Sequence, residues 1–334
     1  MKTLIKYIYV IFAVCIGNLA IAQDFHFSHY DATTLYMNPA LTGMYANKGG
    51  DYKIYADYRS QWKALGIKPF STAYIAYDQP FKKFEKNFGI GAYLVNQNAG
   101  VGRFNTLNFM LSGAYDIMNK AEGKHYLTTG LQMGFFYKSF NPNNFTYDEQ
   151  YDPSIGDFNT SIASGETFAK TSLFKFDANL GVYYKYLEDG KKMHPFVGLS
   201  VQHLTKPNES FTTEKSKLPM RINFNAGCDI AVSEKIDLSP RFLYMNQAKA
   251  SELNVGILAY YKIKEPYEIL LGFDYRNKDA IIFHLGIKQN RHIFRFSYDM
   301  NSSYLNAYSG GRGAWEFSLI LTGEKGKPLI KARF

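Results

Sequence analysis

Along most of the chain, apolar and polar side chains alternate with a period of two. At 127–137, Leu127, Thr129, Leu131, Met133, Phe135 and Tyr137 alternate with Thr128, Gly130, Gln132, Gly134 and Phe136. At 281–288, Ile281, Phe283, Leu285 and Ile287 alternate with Ile282, His284, Gly286 and Lys288. Runs at 174–184, 293–299 and 315–321 repeat the pattern. Successive side chains of a strand point to opposite faces, so each run predicts a β-strand with one apolar face. Fourteen segments are predicted, at about 51–61, 70–79, 88–97, 102–117, 124–138, 171–187, 195–204, 218–233, 236–246, 251–263, 267–276, 279–288, 291–300 and 312–322. They run about 10–15 residues, longer than the ~5–6 usual in soluble strands and matched to a tilted membrane span of about 9–11. A soluble sandwich turns its apolar face inward, whereas a membrane barrel turns it to lipid and its polar face to the lumen. Strand length, aromatic residues at strand ends and an even strand number favour the barrel: an all-β, antiparallel outer-membrane fold.

The connections sort by length. The even-numbered ones, 80–87, 118–123, 188–194, 234–235, 264–266 and 289–290, are short, and the three longest, 139–170, 205–217 and 301–311, are all odd-numbered. Barrels have short periplasmic turns and longer extracellular loops, so both termini are expected in the periplasm. On this reading an arginine at Leu131 meets lipid, while one at Gln132 meets the lumen and is better tolerated.

Composition narrows the class. Aromatic residues make up 17% of the chain, with 27 Tyr, 27 Phe and 27 Gly, and charged residues only 20%. That excludes a disordered chain or a coiled coil. Cys15 and Cys228 are the only cysteines, too few for a zinc framework or a disulfide scaffold. Lys2 and Lys6 precede an apolar run from Tyr7 to Ile16, and Ala20-Ile21-Ala22 forms a small-residue cleavage site. This predicts a signal peptide over 1–22, cleaved after Ala22. The expected organisation is then an N-terminal segment over 23–50 acting as a plug or hatch, a transmembrane barrel over 51–322 and a periplasmic tail over 323–334. The expected place is the bacterial outer membrane, in contact with its lipid. Export removes the chain from nucleic acid despite a net charge of +9.

Candidate chemistry is sparse. His26-Phe27-Ser28-His29 sets histidine beside serine, but outside any predicted strand, and reads as a solvated N-terminal segment. His125, His194, His203, His284 and His292 show no metal-ligand spacing. Asp148, Glu149, Asp152 and Asp157 do not match an EF-hand loop. No catalysis, metal or cofactor is expected. The predicted lumen face carries both signs, in Lys175, Asp177, Asp229, Asp274, Arg276, Arg295, Asp299 and Glu316, which suits a crosslinked, filled interior. Inward glycines, among them Gly130, Gly134, Gly181, Gly198, Gly227, Gly272 and Gly286, let a plug approach closely. Lys82, Lys83 and Lys86, with Lys120, Lys191, Lys192, Lys235 and Lys264, make the short turns basic and suited to an acidic periplasmic partner.

The run Gln23-Asp24-Phe25-His26-Phe27-Ser28-His29-Tyr30 resembles the start of mature PorP/SprF proteins of the type IX secretion system. Leu35-Tyr36-Met37-Asn38-Pro39-Ala40-Leu41-Thr42-Gly43 is similar to that family's Asn-Pro-Ala segment, and Tyr58-Arg59-Ser60-Gln61-Trp62 to its next motif. Tyr77-Asp78-Gln79-Pro80, Gly198 to Leu204 and Ser297 to Leu305 continue the likeness in order. Gly313-Ala314-Trp315-Glu316 departs from it, since the family often has histidine before the glutamate. The resemblance implies a non-enzymatic outer-membrane barrel that assists secretion or surface anchoring of type IX cargo proteins, gliding adhesins among them. It also implies periplasmic secretion-ring or peptidoglycan-binding partners. Among matched positions, Arg59, Gln61 and Trp62 are the favoured partner contacts, with Trp62 alternatively a membrane-interface anchor. Asn38, Pro39 and Gly43 are expected to shape a turn that tucks the N-terminal segment into the barrel. The rival reading is a transport barrel for hydrophobic small molecules, with residues 24–50 as a hatch.

Overall fold

The protein is seen in a computed structural model that describes residues 24–45, 50–66, 68–83, 86–118, 124–327 and 329. The expected signal peptide with its cleavage site, and Lys120, lie outside the described residues. Fourteen strands close a barrel: β1 (Tyr52–Gln61), β2 (Phe70–Lys83), β3 (Lys86–Ala99), β4 (Phe104–Asp116), β5 (His125–Ser139), β8 (Ser172–Tyr186), β9 (Met193–Gln202), β10 (Arg221–Ala231), β11 (Ile236–Gln247), β12 (Ala250–Lys264), β13 (Tyr267–Arg276), β14 (Ala280–Gln289), β15 (His292–Asn301) and β16 (Arg312–Gly323). A small hairpin, β6 (Tyr151–Asp152) with β7 (Asp157–Phe158), lies in the longest connection. Each barrel strand pairs antiparallel with its neighbours, and β1 closes on β16 with Arg59 opposite Glu316 and Asp57 opposite Ser318. Closure leaves no sheet edge to aggregate.

The alternation fixes the faces as expected. Leu131, Met133, Phe174, Phe176, Leu285 and Phe317 are exposed on the outside, while Gln132, Asn179, His284 and Glu316 are buried inside. An exposed apolar wall of this extent is a lipid-facing surface. One strand differs from expectation at its end: β2 does not stop at Tyr77-Asp78-Gln79-Pro80 but runs to Lys83, with Pro80 opposite Gly89. Proline's fixed φ lies near the extended region, so the strand passes through it. The long connections 140–171, 203–220 and 302–311 share one end of the barrel, and connections such as 187–192, 232–235, 265–266 and 290–291 join strands at the other.

Residues 24–45 lie inside the barrel and run from the long-connection end to the short-turn end. Asp24 N–H donates to Gln247 Oε1 at the end of β11 (2.8 Å), and the Tyr45 hydroxyl reaches Asp78 in the lower half of β2. The segment makes one helical turn, Thr34–Met37, and one 3-10 turn, Pro39–Leu41. Phe27, Leu35 and Tyr36 pack in one buried cluster with wall residues Tyr55, Tyr74, Tyr93, Val95, Met110 and Leu243. The expectation of a solvated His26–His29 stretch is therefore corrected: Ser28 and His29 are 0% exposed, and the wall supplies partners for the Ser28 hydroxyl and for both amides.

Candidate functional site

The inserted segment is held in two ways. Its first part is held by charged side chains of the wall. Arg59 of β1 donates from Nη1 to Ser28 Oγ (2.7 Å) and Glu316 Oε2 (2.9 Å), and from Nη2 to Asp299 Oδ2 (2.8 Å). Arg276 of β13 donates to the same Asp299 oxygen (2.6 Å) and to Ser28 Oγ (3.2 Å). The Ser28 and His29 amides donate to the two oxygens of Glu316 at 2.8 and 2.7 Å. Asp31 accepts from Arg241 of β11 (2.6 Å) and twice from Arg295 of β15 (2.9 Å each), and Arg241 also bonds Asp274 (2.6 Å). Charges this deep persist only when paired and hydrogen-bonded, since desolvation of a lone ion costs more than any contact returns.

The second part is held through its backbone, by neutral donors on the wall. Gln132 donates to the Leu35 carbonyl (2.7 Å), Gln202 to that of Tyr36, Ser200 and Asn223 to that of Met37 (2.6 and 3.2 Å), and Thr128 to that of Ala40 (2.8 Å). Asn38 caps the 3-10 turn by accepting from the Ala40 amide (2.9 Å), and its Nδ2 donates to Val182 O (3.1 Å). Between these donors the same strands carry glycines, which leave room for the chain. A Cβ on Gly130 would lie 2.3 Å from the Pro39 carbonyl carbon, and one on Gly181 would lie 2.0 Å from Asn38 Oδ1. Of the seven glycines marked by the sequence, Gly130, Gly181 and Gly198 line this seat.

At the long-connection end the segment is latched. His203, just past β9, lies between Asp24 (Nε2 to Oδ2, 2.7 Å) and Asp177 (Nδ1 to Oδ2, 2.5 Å). Burial disfavours a charged imidazole, but the flanking Asp24 and Asp177 outweigh it and raise the His203 pKa to about 9. Burial alone would raise the Asp24 carboxyl, yet His203, followed by Arg221, holds it well below the usual carboxylate range.

Asn38, Pro39 and Gly43 all sit in the seat, with Gly43 at φ +65°, packed on Gly89 and donating to Asp78 Oδ2 (2.7 Å). Arg59 is not at a partner-facing surface: it is 2% exposed and engaged with Ser28, Asp299 and Glu316. Strand parity placed it there, since Asp57, Arg59 and Gln61 point inward and Tyr58 points out. Gln61 accepts from Arg59 Nε (3.4 Å), and Trp62 leaves the strand at φ +62° with its ring 4.8 Å from that of Phe70. Lys82, Lys83 and Lys86 flank the β2–β3 turn, Lys83 paired with Lys86; their side chains lie outside the described residues. Sequence reasoning singled out Ser28 and His29 but read them as solvated, and it missed Asp31, Arg241 and the pairing of Asp24 with His203. Parity could have found Arg241 as an inward charge, but nothing local marks the others.

No curated protein matches the sequence. Solved structures with a similar outline include a TodX monoaromatic hydrocarbon channel mutant (10% identity, TM-score 0.49, covering 86% of this chain and 92% of that one). Others are a Pseudomonas aeruginosa FadL homologue (10%, 0.48, 86% and 93%) and the translocator domain of the autotransporter NalP from Neisseria meningitidis (11%, 0.43, 87% and 94%). The family described as type IX secretion system membrane protein PorP/SprF matches residues 20–321, and with its lipid-facing barrel the chain belongs to that family and to the outer membrane.

Proposed function

We propose that the protein is a non-catalytic component of the type IX secretion system that assists secretion or surface anchoring of cargo, gliding adhesins among them, while residues 24–45 plug its lumen. The observation that carries the reading is the filled interior: the chain's own segment occupies the lumen, so a partner protein meets the barrel at its ends. With termini in the periplasm, the long connections face the cell surface. Gln61, Trp62 and those loops form the cargo-facing rim. Lys82, Lys83 and Lys86 face an acidic periplasmic secretion-ring or peptidoglycan-binding protein. Arg59, Asn38, Pro39 and Gly43 keep the plug seated. Two further points support a binding role. Ser28 Oγ is engaged by Asp299, Arg59 and Arg276 rather than by a histidine base. A transport barrel for hydrophobic small molecules would need a continuous apolar path, whereas arginine–carboxylate pairs span this lumen.

Deletion of the gene is expected to lower the surface level of one or a few large secreted proteins, read by proteomics of shaved intact cells. An unchanged surface proteome with lost uptake of a hydrophobic nutrient would reverse the reading in favour of transport. Charge reversal at Lys82, Lys83 and Lys86 together is expected to weaken recovery of the periplasmic partner, more so at low salt, because exposed charges are screened over about 8 Å at physiological ionic strength.

A further inference from the structure

Between the inserted segment and the seam of the barrel lies a cluster that the pairing of charges leaves incomplete. His29 comes from the segment, Asp57 from β1 and Glu316 from β16, and one donor atom from each lies within 4.8 Å of the other two. None is more than 4% exposed. Of the nearby arginines only Arg59 touches the cluster, at Glu316 Oε2, and it also bonds Asp299; Arg276 bonds Asp299 and Asp279, Arg241 bonds Asp31 and Asp274, and Arg295 bonds Asp31. None of these bonds reaches Asp57. Its Oδ2 lies 3.3 Å from His29 Nδ1, and its Oδ1 is buried without a hydrogen-bond partner, as is His29 Nε2. Buried polar atoms are nearly always satisfied, so the unpartnered carboxylate oxygen of Asp57 asks for a missing group.

The distances say which kind. His29 Nδ1 is 3.3 Å from Asp57 Oδ2 and 3.5 Å from Glu316 Oε1. Charge-assisted N–H···O bonds are shorter, about 2.7–2.9 Å. Ligands bound at about 2.0–2.2 Å around a tetrahedral ion are instead separated by about 3.3–3.6 Å, the edge of the tetrahedron. Imidazole with two carboxylates suits zinc-like ions, whereas calcium and magnesium select oxygen alone. The surrounding bonds orient the ligands as an outer shell would: the His29 amide holds Glu316 Oε1 (2.7 Å), and Arg59 and the Ser28 amide hold Oε2.

We propose that His29 Nδ1, Asp57 and Glu316 bind one divalent cation of the zinc class, which staples the inserted segment to the two strands that close the barrel. Occupancy of the site then requires a seated segment, and the ion in turn resists its withdrawal. The reading does not depend on which cargo or partner the barrel serves.

The test uses the full-length protein in detergent micelles, stripped with EDTA and desalted, with zinc sulfate as the probe. One equivalent of zinc per chain is expected to survive desalting, by mass spectrometry of the metal, and cobalt in its place should give the visible bands of a tetrahedral ion. Asp57→Asn and His29→Gln, which keep size and polarity, are expected to weaken retention at least tenfold, while the exposed-site control His125→Gln leaves it unchanged. In a Cys228→Ser background, a cysteine at Phe25 should label more slowly with zinc than with EDTA. Folded wild-type protein that retains no zinc overturns the proposal without reference to any variant. Retention that is equal in Asp57→Asn, or lost in His125→Gln, overturns it too.

Discussion

The two halves of the lumen hold one segment by opposite means. Around Ser28 and Asp31 the wall offers full charges and the segment answers with side chains and two amides; around Leu35 to Gly43 it offers amides, hydroxyls and bare glycines, and the segment answers mainly with its backbone. The first grip depends on chemistry, because each buried charge needs its counter-charge. The second depends on shape, because any added atom on the wall collides with the chain. A plug held only by ion pairs would leave its backbone carbonyls unsatisfied, and one held only by shape would lack directional contacts.

The charged grip should show the largest loss. Arg59→Met leaves Asp299 and Glu316 short of a cation, and breaking one side of a buried pair costs about 3–5 kcal/mol. The expected result is a lower guanidinium midpoint in micelles and faster proteolysis within residues 24–33. If Arg59→Met keeps the wild-type midpoint, the charged half is not a grip.

The shape-dependent grip is tested next, at one pair of neighbours. The strand pattern alone predicts that arginine is costly at Leu131, about 2–4 kcal/mol near the midplane, and tolerated at Gln132. The seat removes that tolerance: Gln132 is 0% exposed and bonds Leu35 O, Ser112 and Asn179, so its arginine variant should also expel the segment. Folding yields in vesicles should fall for Leu131→Arg, whereas Gln132→Arg should fold as a barrel with an unseated, protease-sensitive N-terminus. A protected N-terminus in Gln132→Arg would mean that the seat has slack. Gly181→Val probes the same seat with a smaller intrusion, about 1–3 kcal/mol for overpacking, read as a modest rise in the same proteolysis.

These two halves were not equally legible. Period two located the strands and their faces, down to Leu131 outside and Gln132 inside, because strand geometry is local. The inward charges were legible for the same reason, and so were Gly130 and Gly181. Their common partner was not, because residues 24–45 carry no alternation and meet the wall through contacts far apart in sequence: Ser28 to Asp299, or Leu35 to Gln132. The His29–Asp57–Glu316 cluster escapes spacing rules altogether, since its members lie on three separate stretches of chain. His203 breaks the parity of β9 by turning at φ +58°, so its approach to Asp24 has no signature in the pattern.

That latch gives the smallest and most conditional effect, because it holds only the mouth of the charged half. His203 has its pKa raised from about 6.5 to about 9, so its contribution is complete below about pH 6.5 and fades as pH rises through about 9. Asp24 is shifted downward, so its contribution is present above about pH 4 and is lost as the carboxylate protonates at lower pH. The inner guanidinium groups stay charged between pH 7 and 10, so the alkaline change should be confined to the mouth. A nitroxide at Phe25→Cys, in a Cys228→Ser background, should become more mobile between pH 7 and 10, and again below pH 4. His203→Gln should abolish the alkaline change while leaving the zinc-dependent and Arg59-dependent behaviour of the deeper segment as it was. A label whose mobility is flat from pH 7 to 10 in the wild type would show that the shape-dependent seat and the inner ion pairs hold the mouth closed without the latch.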